Sequence, residues 1–245
     1  MPVGCRMEKI SYVIPVYDEE NNLSPLYDQI KNVCAKVGGE YEIIFVDDFS
    51  RDKSLEIIKS LAEKDHCVKY IAFAKNTGQS AALYSGFQHA SGDIIITMDA
   101  DLQNDPADIP EMLKLFGEYD MVNGWRHNRK DTLSKRLASK LGNRIRNAVI
   151  KEDIHDTGCS LKIMRASMLK RVKMYKGLHR FLPAMMRMEG AKVVEMKVNH
   201  RQRHSGVSKY TNLKRGYEAL YDLICVRWMQ KRYLKISVRE NNVGS

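Results

Sequence analysis

The stretch VKYIAFAKNTGQSAALYSGFQHASGDIIITMDADLQNDP, residues 68–106, is the one on which the fold is read. It opens with a short apolar run (68–74) and passes into a helical pattern, GQSAALYSGFQHA (78–90). It then returns to an apolar run, GDIIITMDAD (92–101), that ends in acids. A strand, a helix and a second strand joined by short loops form a unit whose two strands run parallel. Toward the N-terminus the alternation repeats. SYVIPVY (11–17) and YEIIFVDD (41–48) read as buried strands, and the amphipathic patterns at 21–37 and 52–65 as the helices after them. Toward the C-terminus, YDMVNGWR (119–126) reads as a fifth strand. The prediction is an α/β fold with a mostly parallel central sheet between helical layers.

In such sheets ligands bind beyond the carboxyl ends of the strands. The polar clusters DEENN (18–22), DDFSRD (47–52) and DADLQ (99–103) fall at those ends. Asp99, Asp101 and Gln103 alternate directly after a strand, with Asp105 just beyond. Carboxylates this close repel one another unless something positive sits between them. A hard divalent cation such as Mg²⁺ takes one or two carboxylates and fills its shell with phosphate and water. Asp99, Asp101 and Gln103 supply that set, although an isolated D-x-D is also a common acidic strand end. In the second cluster, Asp47 or Asp48 reads as an N-cap for the helix beginning near Asp52, leaving the other to accept hydrogen bonds from a base or ribose.

Composition narrows the partners. The chain has 245 residues, 44% of them hydrophobic, and a formal charge of +10. It is long enough for a real core and basic enough to favour an anionic partner such as phosphate, nucleic acid or an acidic lipid surface. No aromatic–basic interleaving or binding motif supports nucleic acid. The five cysteines are odd in number and form no CxxC pair, which fits reduced thiols in a cytosolic setting. No secretory signal is visible, and no apolar run approaches the roughly 20 residues that cross a bilayer, so any membrane contact is expected to be peripheral. There is no phosphate loop of the G-x-x-x-x-G-K-[ST] type, no G-x-G-x-x-G fingerprint and no Ser/His/Asp triad.

Cations to offset the acids come from downstream. Arg126 ends the fifth strand, and Arg203 and Lys209 lie in NHRQRHSGVSKY (199–210). Arginine grips phosphate in bidentate fashion and lysine adds a point charge. In DIHDTGCSLKIMR (153–165), Asp156 reads as an N-cap or a general base, and the segment opens toward a strand or a helix. His155 and His179 read as local hydrogen-bonding residues. Two helical patterns are amphipathic. In the first, Leu133, Leu137, Leu141, Ile145 and Val149 form a stripe, with Lys135, Arg136, Lys140, Arg144 and Arg146 elsewhere. In the second, Leu213, Tyr217, Leu220, Ile224 and Trp228 do so ahead of Lys231, Arg232, Tyr233 and Lys235. Each reads either as an ordinary packing helix or as a basic helix lying on an anionic membrane.

Taken in order, IPVYDEENN, VDDFSRD, NTGQSAALYSGFQHASGD, MDADLQNDP, NGWR, DTGCSLKIMR, HRF and HRQRHSGVSKY resemble the inverting family-2 glycosyltransferases. Within them the chain is most similar to the dolichyl-phosphate mannose synthase and polyprenyl-phosphate glycosyltransferase group, from Ser11 to Trp228. The resemblance implies a GT-A fold, with residues 1–10 an extension, 11–212 the catalytic domain and 213–245 an amphipathic helix and tail of the same domain. It implies a GDP- or UDP-sugar held around Pro15, Tyr17, Glu19, Val46 and Asp48, with Asp99, Ala100 and Asp101 at the diphosphate. Mg²⁺ or Mn²⁺ would sit on Asp99, Asp101 and Gln103, and Arg126, Arg203 and Lys209 would hold phosphates. Catalytic parts fall to Asp101, Arg203 and Asp156, the last near the acceptor phosphate. The reaction implied is in-line transfer with inversion to a polyprenyl phosphate at the cytosolic face of a membrane, or else to a hydroxyl of a glycan or lipid. A lipid phosphate is already anionic, so it needs a strong base less than a hydroxyl does. Many relatives carry membrane-spanning helices after the catalytic domain. Here the helix at 133–150 and the segment from Trp228 to Lys235 are expected to meet the membrane surface instead.

Overall fold

The structure, a computed structural model, describes residues 8–126, 144, 146–201 and 212–234, with the backbone alone over 212–219. Its N-terminal half follows the alternation. β1 (Ile10–Val16), α1 (Leu23–Val37), β2 (Tyr41–Asp47), α2 (Ser54–Lys64), β3 (Val68–Ala72), α3 (Gln79–His89) and β4 (Ile94–Thr97) succeed one another. A short 3-10 turn and α4 (Ile109–Leu115) lead to β5 (Met121–Arg126). The end of a helix, α5, is described over 146–150. Then come β6 (Lys162–Arg165), α6 (Ala166–Leu169), α7 (Leu182–Met188), β7 (Val193–Val198) and the long α8 (Asn212–Arg232).

One seven-stranded sheet runs in the order β3-β2-β1-β4-β6-β5-β7. The pairs β1–β2, β1–β4, β2–β3 and β5–β7 are parallel, while β6 runs antiparallel between β4 and β5. Period-two alternation divides the core. Tyr12, Ile14, Ile43, Phe45, Ile94 and Ile96 join one cluster, under α1, α2 and α4. Val13, Ile44, Val46 and Ile95 join the other, under α3 and α7. Because both faces are covered, the central strands are continuously apolar. Pro15 is tolerated in β1 because β4 stops pairing at Val13↔Thr97, short of it.

The contact between α3 and the sheet is unusually close. A Cβ on Gly86 would lie 2.3 Å from Val13 Cγ1 and 3.3 Å from Val46 Cγ2. Both valines are buried and β-branched, so neither side chain can swing away. Gly86→Ala gains up to about 1 kcal/mol of helix propensity. Overpacking costs about 1–3 kcal/mol. A net loss of stability is expected, read as a lower urea midpoint with an unchanged slope.

At the opposite end of the strands from the acidic loops, Glu42 is buried and fully bonded. It accepts from Ser11 Oγ (2.6 Å), Ser91 N (2.6 Å), Ser91 Oγ (2.8 Å) and Lys69 Nζ (2.5 Å). Burial alone would raise its carboxyl, but the Lys69, Ser11 and Ser91 bonds outweigh burial and hold it down to about 2. A carboxyl depressed by folding stabilises above its unfolded pKa, and that contribution is lost as pH falls through the folded value. Wild type is therefore expected to lose on the order of 3 kcal/mol between pH 5 and 2 through this group. Glu42→Gln should flatten that part of the pH–stability curve measured by denaturant titration.

Candidate active site

The carboxyl ends of β1, β2 and β4 lie side by side, and each is followed by a non-glycine residue with left-handed backbone. These are Asp18 (φ 53°), Phe49 (φ 65°) and Leu102 (φ 62°), three of the four among the described residues. Strain of this kind persists only where surrounding contacts over-determine it, and it clusters at functional sites.

Two of the three acidic clusters hold the loops together. Asp18 Oδ1 accepts from Arg51 N (2.7 Å), Glu20 Oε2 from Lys53 N (2.9 Å) and Asp52 Oδ2 from Glu20 N (3.1 Å). These backbone N–H groups offset the charge, so repulsion among all three clusters does not by itself demand a cation. The capping assignment is corrected too. Asp52 Oδ1 accepts from Ser54 N at the start of α2 (2.9 Å), so neither Asp47 nor Asp48 serves that helix. Asp47 Oδ2 accepts from Ser50 N (3.2 Å), and its buried Oδ1 has no partner among the described residues. Asp48 accepts from Thr77 N (2.6 Å), Gly78 N (2.8 Å) and Asn76 Nδ2 (3.0 Å). Its carboxylate therefore organises the turn into α3, where an acceptor open to a base or ribose was expected.

The DADLQ cluster differs. The left-handed backbone at Leu102 drops that side chain into the core, and Asp101 Oδ1 accepts from Gln103 N across it (3.1 Å). Asp99 Oδ1 accepts from Gln79 Nε2 of α3 (2.8 Å). Burial first, and then the Asp101 carboxylate, push the Asp99 carboxyl up, and the positive charges of Arg126 and Lys162 do not cancel this. Here the mutual repulsion predicted for the cluster is present, and hard oxygen donors left in that state suit a divalent cation. Gln103 also comes within 3.5 Å of His200 Nε2 through its side-chain nitrogen, and its backbone carbonyl accepts from Arg201 N (2.9 Å). The segment after β7 is thereby pinned to the cluster.

Asp156 and Arg126, assigned separately from sequence, form one ion pair. Arg126 Nε donates to Asp156 Oδ2 (2.7 Å) and Nη2 to Oδ1 (2.9 Å). Asp156 is buried, and its own backbone N–H donates to Glu195 Oε1 on β7 (3.0 Å). Burial alone would raise the Asp156 carboxyl, but the Arg126 pair outweighs it and holds the group below the usual carboxylate range. A carboxylate so held is a poor proton acceptor, and the N-cap reading does not apply either. Beneath the pair lies Lys162, fully buried, whose Nζ donates to Asn123 Oδ1 (2.7 Å), Thr157 O (3.2 Å) and Cys159 O. Burial depresses its ammonium. His155 and His179 are hydrogen-bonded as expected, but to distant partners, Glu195 and Ser80, 40 and 99 positions away in the chain.

Other assigned positions divide. Pro15, Tyr17 and Glu19 are half-buried at the rim. Val46 and Ala100 are buried in the two cores, so any contact they make with a nucleotide falls to their backbone. Arg203 and Lys209 lie outside the described residues, as does most of the helix expected at 133–150. At the described end of that helix, Arg146 departs from the expected surface basic set. It is buried, with Nη1 donating to Thr157 Oγ1 (2.7 Å) and Nη2 to Ile154 O (2.5 Å). Sequence reasoning assigned no part to Gln79, Lys162, Glu195 or His200. Only Lys162 carried a signal, as a lone cation inside the apolar run SLKIM.

Comparison with known proteins identifies the family. The glycosyl transferase family 2 model matches residues 11–173. Dodecaprenyl-phosphate galacturonate synthase of Rhizobium johnstonii is 36% identical over 229 residues, covering 91% of this chain and 68% of its own. Undecaprenyl-phosphate 4-deoxy-4-formamido-L-arabinose transferase of Edwardsiella ictaluri is 35% identical over 230 residues, covering 93% and 70%. In structure, glucosyl-3-phosphoglycerate synthase from Mycobacterium tuberculosis superposes with a TM-score of 0.68 at 14% identity, over 94% of this chain and 80% of that one, and supports the GT-A fold. The strand-end acids, the sheet and these relatives together show that the chain belongs to glycosyl transferase family 2 and is a glycosyltransferase.

Proposed function

We propose that this glycosyltransferase moves a sugar from a GDP- or UDP-linked donor to a polyprenyl phosphate with inversion of the anomeric carbon. The observation that carries this acceptor is the commitment of Asp156, the acid assigned beside it, to Arg126 in a buried bidentate pair. A hydroxyl acceptor needs a free base to take its proton. A phosphate monoester is ionised at neutral pH and needs none. The names of the two curated relatives point the same way.

In this reading a phosphate oxygen of the lipid attacks the anomeric carbon. The bond to the donor's diphosphate oxygen breaks, and the nucleoside diphosphate leaves with the electron pair. Asp99, Asp101 and Gln103 would hold Mg²⁺ or Mn²⁺, which when bound neutralises charge growing on the diphosphate. Gln79 keeps the Asp99 carboxylate oriented. The Arg126–Asp156 pair, braced by Glu195, places a guanidinium at the end of β5 beside the cluster. The family resemblance adds Arg203 and Lys209 as phosphate-binding groups.

Membrane contact is proposed through α8. Leu223 and Val226 are buried and Met229 packs against that core, whereas Leu220, Ile224 and Trp228 are 52%, 60% and 63% exposed. Lys231 and Arg232 follow at the end of the helix. An apolar stripe ending in cations and tryptophan suits a headgroup boundary. No helix among the described residues is long and apolar enough to cross a membrane. Peripheral contact from this face is proposed, and the cytosolic side is proposed because nucleotide sugars are found there.

The test is incubation of the protein with Mg²⁺ or Mn²⁺, a panel of GDP- and UDP-sugars and a short polyprenyl phosphate in detergent, read by mass spectrometry. A glycosylated lipid phosphate with one donor is expected. Transfer only to soluble sugar hydroxyls would replace the acceptor. Ile224→Glu with Trp228→Glu should abolish sedimentation with anionic vesicles and leave nucleotide-sugar binding in detergent intact.

A further inference from the structure

A cavity of about 530 Å³ lies between the start of α3, residues 174–180 and the wall of α8. Its lining includes Gln79, whose amide bonds Asp99 of the acidic cluster. It also includes Tyr221, which is 63% exposed and continues along α8 into Ile224 and Trp228 at helical spacing. The cavity thus connects the strand-end acids to the apolar stripe.

Its lining combines charge with apolar surface. Lys176, His179 and Arg180 line it, with Asp222 as the one carboxylate. The Arg180–Asp222 contact is long, 3.7 Å, and the Arg180 Nε has no partner among the described residues. This guanidinium is held near the cavity without the bidentate pairing that occupies Arg126. The first turn of α3 adds oriented backbone dipoles favourable to an anion. Tyr84, Met174 and Tyr175 supply an aromatic and apolar wall, and Tyr175 is itself largely exposed.

We infer that this cavity seats the acceptor lipid, with its phosphate toward Lys176 and Arg180 and its first apolar units along Tyr84, Tyr175 and Tyr221. The inference rests on the polyprenyl phosphate reading above and adds to it where the acceptor lies. It makes Tyr221 the point at which the chain of the lipid passes from the cavity onto the stripe of α8.

The experiment uses the full chain with a short polyprenyl phosphate bearing a diazirine on its apolar end, irradiated in detergent. Peptides are then mapped by mass spectrometry. Label on residues 174–180 or on Tyr221, competed by unlabelled polyprenyl phosphate and not by nucleotide sugar, is expected. Lys176→Gln, Arg180→Gln and Tyr221→Ala, run beside it, should each raise KM for the lipid about tenfold and leave KM for the donor unchanged. Lys176 and Tyr221 have exposed side chains, so those two variants do not depend on the core. Label elsewhere, no label, or a donor KM that shifts in place of the lipid KM would overturn the inference. Labelling here without glycosyl transfer would sink the reaction and keep the cavity. Transfer with labelling elsewhere would do the reverse.

Discussion

Asp99→Asn should lower transfer by about 10²–10³-fold, the size of losing one preorganised charge at a developing anion, and should not lower stability. The two halves of this result have one cause. In the fold the Asp99 carboxyl is pushed up, first by burial and then by Asp101. For an acid, a folded pKa above the unfolded one means that its charge opposes folding, and the opposition grows as pH rises through that range. Asparagine removes the charge and keeps the oxygen that accepts from Gln79 Nε2. The neutral variant is therefore expected to melt at or above the wild-type temperature at pH 7, with the difference vanishing in acid. Glycosyl transfer and differential scanning fluorimetry measured on the same preparations check this. A marked fall in melting temperature would assign Asp99 to architecture, as with Asp18 and Asp52.

Arg126→Ala is expected to cost about 3–5 kcal/mol of stability as well as activity, because it strands a buried carboxylate. Asp156 is buried and held low by Arg126, so the pair stabilises above the unfolded carboxyl pKa and is lost as pH falls through the folded one. Without the guanidinium, only the Lys162 charge and the backbone N–H of residue 126 oppose burial, so the Asp156 carboxyl rises and the penalty at neutral pH is largest. Denaturant titration of Arg126→Ala at pH 4 and pH 7 should show the larger loss at pH 7. Asp156→Asn should lower stability as well, since it leaves Arg126 short of its counter-charge. Its activity loss should be flat across neutral pH, as suits a positioning residue. Loss of an acidic limb from the pH–rate profile would instead make Asp156 a general base acting on a hydroxyl.

The contrast between these two sites explains which parts of the assignment could be read from residue types. DADLQ stands out because its alternating acids and Gln103 follow a continuous apolar run directly and match the oxygen-donor set of a hard cation. The acids of DEENN and DDFSRD look the same on paper. Asp18, Glu20 and Asp52 among them turn out to bind backbone N–H groups from each other's loops, about thirty residues away in the chain. β6 shows the same limit. It has four residues and follows a turn, and it is inserted antiparallel between β4 and β5. Nothing in KIMR specifies those neighbours. β7 carries the alternation VVEMKV but pairs with β5 across some seventy residues.

The stripe Leu220, Ile224 and Trp228 was visible as amphipathicity, which gives a helix two faces without saying which is covered. Packing of Leu223 and Val226 decides it, and leaves the larger apolar stripe outside. What the amino-acid order determined by itself was local: apolar runs of strand length, helical periodicity between them, and an acid pattern at one strand end. These depend on interactions within a few residues. The partners of Asp48, Asp156 and Lys162, the exposed face of α8 and the cavity beside Gln79 were decided only by tertiary structure. In each case, charge and exposure depend on what the fold brings from a distant segment into a low-dielectric neighbourhood.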